Sequence, residues 1–85
     1  MHIESTRTFS KLYRKLPQEL KERVKDTLKL LQSNPSHPSL RHKKMEGQKD
    51  IFEVSVTMNY RITYQKIDTV AYLRKVGTHN ILNRP

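Results

Sequence analysis

The sequence predicts a small α+β domain: a helical hairpin followed by a sheet, in the order β-α-α-β-β-β. Three observations carry this expectation. Apolar residues recur at helical spacing from Phe9 to Leu31, the spacing switches to two at Ile51, and 85 residues with 34% hydrophobic content supply only one core. Residues 1–85 are therefore read as a single domain.

Residues 2 to 7, HIESTR, read as a short strand. Phe9, Leu12, Tyr13 and Leu16 then form the apolar stripe of a first helix that ends before Pro17. Pro17 suits the start of a second helix, where its missing N–H costs nothing, and Glu19 follows at the positive end of that helix's dipole. Leu20, Val24, Thr27, Leu28 and Leu31 make its core stripe, with Lys21, Glu22, Lys25, Asp26 and Lys29 on the solvated side. Residues 32 to 50 open with two prolines and close near Gly47, so they read as loop with a short extended piece at Lys43 to Met45. Phe52, Val54 and Val56 alternate with Glu53, Ser55 and Thr57, and Tyr60, Ile62 and Tyr64 alternate with Arg61, Thr63 and Gln65. These are two strands joined near Met58 and Asn59. A turn at Asp68 leads to a third strand, Thr69 to Val76, giving a small antiparallel sheet that covers the helices with one face. In that last strand the parity is open, because Ala71 and Leu73 compete with Val70, Tyr72 and Val76 for the core side.

The chain has 17 Lys and Arg against 8 Asp and Glu, a net charge of +9, which points to an anionic partner. It has no cysteine, which excludes disulfides, thiolate metal sites and a cysteine nucleophile, and fits a reducing cytoplasm. No apolar run approaches the roughly 20 residues of a membrane span. There is no Gly-rich phosphate loop and no histidine pair with metal-ligand spacing, so neither a metal nor another cofactor is expected.

Four histidines remain as chemistry-bearing groups. His2, near the N-terminus, and His37, between prolines, read as exposed loop residues. His42 lies in the basic cluster Arg41, His42, Lys43, Lys44, and His79 follows the last strand, so both can meet at one end of the uncovered sheet face. Cleavage of RNA without metal needs a base at the 2′-hydroxyl, an acid at the leaving 5′-oxygen and a cation on the developing charge. His42, His79, Arg61, Lys43 and Lys44 supply those types. Arg61 has two readings: a bidentate phosphate ligand, or the cross-strand partner of Glu53.

The segment SKLYRKLPQELKERVKDTLKLLQSNPSHPSLRHKKMEG, followed by IFEVSVTMNYRITYQ and YLRKVGTHNIL, resembles the RelE/ParE superfamily of bacterial toxins, and the likeness spans nearly the whole chain. Within it, VGTHNIL is most similar to the YafQ-like branch. The resemblance implies a RelE-like fold, a cognate antitoxin, a toxin-antitoxin complex that is oligomeric, and metal-independent cleavage of mRNA on the ribosome that stops translation. It further implies His79 as catalytic acid, His42 as base or phosphate ligand, and Arg61 as a phosphate-binding arginine. Arg41, Lys43 and Lys44 are expected to bind RNA, with Ser55, Asn59 and Arg74 lining the site. Two departures stand out. RelE-type toxins have lysines where this chain has Phe52 and Val54, and YafQ-like toxins have a histidine and an aspartate about where Ser55 and Asn59 stand. These leave two alternatives open: a ParE-like poison of DNA gyrase that cuts no RNA, and a degenerate RNA- or ribosome-binding module.

Overall fold

Thr6 closes the first strand and opens the first helix with one hydroxyl. Its Oγ1 accepts the Phe9 backbone N–H at 3.2 Å and donates to the Leu73 carbonyl at 2.7 Å, capping the helix and tying its start to the last strand. In the computed structural model, which describes residues 1–85, the elements are β1 (His2–Ser5), α1 (Arg7–Arg14), α2 (Gln18–Ser33), β2 (Lys43–Lys44), β3 (Ile51–Ser55), β4 (Tyr60–Ile67) and β5 (Val70–Thr78). Short 3-10 turns occupy Pro38–Leu40 and His79–Asn83. No helix is long and apolar enough to cross a membrane.

The sheet order is β1-β5-β4-β3-β2. The meander β3-β4-β5 is antiparallel as expected, and the extended piece at Lys43 becomes β2 on the β3 edge. β1 joins the other edge in parallel with β5, so the full sheet is mixed. Between β1 and the meander the chain passes through the helical hairpin, and a connection of that length is what parallel neighbours require.

Phe9 of α1, Val24 and Leu31 of α2, and Leu40 pack on Val54, Ile62, Tyr64, Ala71, Leu73 and Val76 of the sheet. Burying each large aliphatic side chain contributes roughly 1.5–3 kcal/mol, so this seam is the main source of stability. The ambiguous parity of β5 has a physical cause. Thr63 is opposite Lys75 but Tyr64 is opposite Leu73, so Arg74 is an extra residue, a β-bulge. The bulge lets Ala71 and Leu73 before it, and Val76 after it, all reach the core. Both competing sequence patterns were therefore right over part of the strand.

Candidate functional site

Because Val54, Ile62 and Val76 point into the helix-facing core, their neighbours point away from it. Register then sets two rows on the open face. Ser55, Arg61 and Gly77 form one, and Lys43, Glu53, Thr63 and Lys75 form the next.

Of the two readings the sequence allowed Arg61, the structure shows the pairing with Glu53. Its Nε lies 3.7 Å from Glu53 Oε1, and both side chains are mostly covered, 11% and 13% exposed. Its Nη1 donates to the carbonyls of Thr57 at 2.6 Å, Met58 at 3.1 Å and Tyr60 at 3.2 Å, which stitches the β3-β4 turn and fixes the guanidinium at that end of the sheet. Ser55 Oγ donates into the same turn, to Thr57 O at 3.4 Å. Asn59 is exposed in this turn, its N–H bonded to Thr57 Oγ1 at 3.2 Å.

His79 is exposed at the same end. It follows Thr78, the partner of Tyr60, and begins the second 3-10 turn. Gly77 leaves room for that turn: a Cβ there would sit 2.8 Å from Ile81 Cγ2, so a larger residue would force the Ile81 side chain to move.

His42 is elsewhere. Its ring packs edge-on against Phe52 and Tyr64, both at 5.5 Å between centroids, while those two rings stack on each other. Phe52 and Tyr64 belong to the helix-facing side of the sheet, so His42 does too. Its Nδ1 bonds the Pro35 carbonyl at 3.0 Å, and its Nε2 bonds the Tyr64 hydroxyl. A carbonyl can only accept, so Nδ1 carries the proton and, in the neutral ring, Nε2 accepts from Tyr64. Burial pushes the Tyr64 hydroxyl up to about 12, which keeps it a donor. The expected meeting of His42 and His79 does not occur. His42 packs at the row of Tyr64 and His79 follows the row of Tyr60, four residues apart along β4, about 13 Å.

The basic cluster is split for the same reason. Lys43 pairs with Glu53 and shares the open face, whereas Lys44 pairs with Phe52 and points to the other side. Arg41 is exposed in a left-handed conformation, φ 46°, after the first 3-10 turn. Arg74, the bulge residue, donates from Nε to the Pro85 carbonyl at 3.0 Å. His37 has a plain local role, its Nδ1 accepting the Ser39 N–H at 3.1 Å to cap that turn, and His2 bonds Glu4 at 2.8 Å in solvent.

No protein-family model matches the chain, and no curated protein does. Solved structures do. The toxin in the E. coli RelBE toxin-antitoxin complex is 25% identical, with a TM-score of 0.72 over 91% of this chain and 94% of that one. YafQ in the E. coli DinJ-YafQ complex is 20% identical with a TM-score of 0.77, covering 94% of this chain and 93% of that one. A YoeB/ParE toxin from Agrobacterium tumefaciens is 13% identical with a TM-score of 0.76, covering 93% and 99%. The chain therefore has the fold of the RelE/ParE toxins.

On this RelE/ParE fold, the positions compared with lysines, Phe52 and Val54, face the core, and Val54 is fully buried. A lysine at Val54 would carry an unpaired charge into the seam. The open-face residues of β3 are Glu53 and Ser55, so this chain presents a carboxylate there. Sequence reasoning treated Glu53 only as a partner for Arg61 and left out Thr63 and Lys75. The period-2 pattern did place Glu53 and Arg61 on one face, which was the available signal.

Proposed function

We propose that this chain is the toxin of a type II toxin-antitoxin pair and acts as a metal-independent mRNA endonuclease on the ribosome. The observation that carries this reading is the pair Glu53 and Arg61 on the open face of a RelE/ParE fold, with the exposed His79 at the strand end where Tyr60 begins β4. Glu53 takes the 2′-hydroxyl proton as the O2′–P bond forms, and Arg61 offsets the charge that builds on the phosphorane. The P–O5′ bond then breaks and protonated His79 donates to the departing oxygen, leaving a 2′,3′-cyclic phosphate and a free 5′-hydroxyl. The base role assigned to His42 from sequence passes to Glu53, since His42 is on the wrong face with both nitrogens engaged. Lys43, on the open face, and Arg41, Ser55, Asn59 and Arg74 around it contribute RNA contacts. A cognate antitoxin with an acidic or extended amphipathic segment neutralises the basic surface.

The test is induced expression in bacteria with growth followed and mRNA 5′ ends mapped. Growth arrest with new in-frame cleavage sites supports the reading. A second reading, a ParE-like gyrase poison, draws on one observation: Arg61 already engages Glu53 through Nε and three carbonyls through Nη1. Arrest with intact mRNA and inhibited supercoiling by the purified protein would select it instead.

A further inference from the structure

At the end of the open face away from Arg61, the sheet carries a row without a cation. Register aligns Ile51, Gln65, Tyr72 and Glu4 across β3, β4, β5 and β1. All four point away from the helices, because their neighbours Phe52, Tyr64, Ala71 and Ile3 pack on the helix side. Ile51 is 4% exposed yet lies outside the helix-side cluster, so the open face is apolar at this point. Tyr72 is 36% exposed and Ile67, one row further on, 49%. The Tyr72 hydroxyl and the Gln65 amide hydrogen-bond nothing else in the chain and are left to solvent. The only charged side chain in the row is Glu4, which His2 engages at 2.8 Å.

A row whose one charge is a carboxylate repels a phosphate but accepts a neutral base. A stable protein interface needs on the order of 1,000 Å², far more than these few side chains offer. Aromatic side chains on an open sheet stack unpaired bases of any kind, and an amide beside them adds selectivity, since its adjacent donor and acceptor match the N6–H and N7 of adenine. We infer that Tyr72 and Gln65 form a base-reading platform: an unpaired adenine of the bound strand stacks on Tyr72 and bonds the Gln65 amide. That the strand is RNA cut at Arg61 rests on the function proposed above. The platform is four residues along β4 from Arg61, about 13 Å, so it holds a base flanking the cleaved bond and not a base at it. In the row between, Thr63 is covered and Lys43 is exposed, which directs the sugar-phosphate backbone past the β2 side.

The experiment measures binding of the full chain to 2′-O-methyl hexanucleotides, which cannot be cut because the attacking hydroxyl is blocked. Labelled hexa-adenylate, hexa-uridylate and an abasic hexamer are compared by fluorescence anisotropy. The proteins are wild type, Tyr72→Phe, Tyr72→Ala and Gln65→Leu, each with its melting temperature followed. Wild type should prefer adenylate to uridylate, and uridylate to the abasic backbone, by at least about 5-fold each. Tyr72→Phe should keep both preferences, and Tyr72→Ala should bring adenylate down to the abasic level. Gln65→Leu should lose the preference for adenine while still binding both bases better than the abasic backbone. Equal binding of the three probes by wild type, no binding of any, or unchanged preferences in a folded Tyr72→Ala overturns the platform. Sedimentation that shows a wild-type dimer dissolved by Tyr72→Ala, with RNA binding unchanged, overturns it too and gives the face to a second copy of the chain. Because the probes are not cut, these preferences without mRNA cleavage in induced cells would sink the nuclease reading and leave the platform standing; cleavage without base preference would do the reverse.

Discussion

The two faces of the sheet use the same residue types for different ends. On the helix-facing side, His42, Tyr64 and Phe52 form a closed cluster in which every ring polar atom has a partner. On the open side, Glu53 and Arg61 are held in place by each other and by the β3-β4 turn, and His79 is exposed just past the end of β5. A histidine fixed from both nitrogens has no lone pair or proton left to exchange, so its chemistry is structural.

The largest effect should come from Glu53→Gln, which keeps the shape and an oxygen for Arg61 but removes the basic carboxylate. Its mRNA cleavage should fall by about 10²-fold to 10⁴-fold, measured by primer extension on a target message, with the melting temperature followed in parallel. Retained cleavage would remove Glu53 from the chemistry.

Next in size is the alkaline limit of stability. The Tyr64 hydroxyl is raised from its ordinary 10.0 to about 12 in the folded chain by burial. In the unfolded chain it ionises first, so the stability it supports is fully present below about pH 10 and is lost as pH rises through about 12. This amounts to about 2 to 3 kcal/mol across that window. Urea unfolding of wild type and Tyr64→Phe at several alkaline pH values should show a flatter decline in the variant. Parallel declines would contradict the burial.

The smallest effect separates adjacent lysines. Lys43→Ala should reduce the salt slope of RNA binding by about 1, and Lys44→Ala should leave it unchanged, because β2 points them to opposite faces. Fluorescence anisotropy of a labelled RNA over a salt series reads both. Equal reductions would mean that both sides of the β2 edge contact the strand.

Most of the fold was legible because helix and strand periods are local. Val24, Thr27 and Leu31 announce the buried stripe of α2, and the alternation through Val54 and Ile62 announces β3 and β4. What stayed hidden depends on contacts distant in sequence. The bulge at Arg74 exists only in the pairing of β5 with β4, so neither parity read along β5 alone could be complete. Thr63 reads as a polar open-face residue, and its burial requires the carbonyl of Pro85, 22 positions away. The site was half legible. Arg61 and His79 could be placed from the strand pattern and the strand end, whereas His42 sits in a loop with no period to assign it a face. Its side is decided by Pro35, Phe52 and Tyr64.

The most direct test of this division compares His79→Ala with His42→Ala for both melting temperature and mRNA cleavage. His79→Ala should abolish cleavage and leave the melting temperature near that of the wild type. His42→Ala should strand the buried Tyr64 hydroxyl at a cost of about 1 to 3 kcal/mol, lowering the melting temperature by several degrees, while the protein still folded continues to cut. Loss of cleavage in a fully folded His42→Ala protein, with cleavage intact in His79→Ala, would contradict the account.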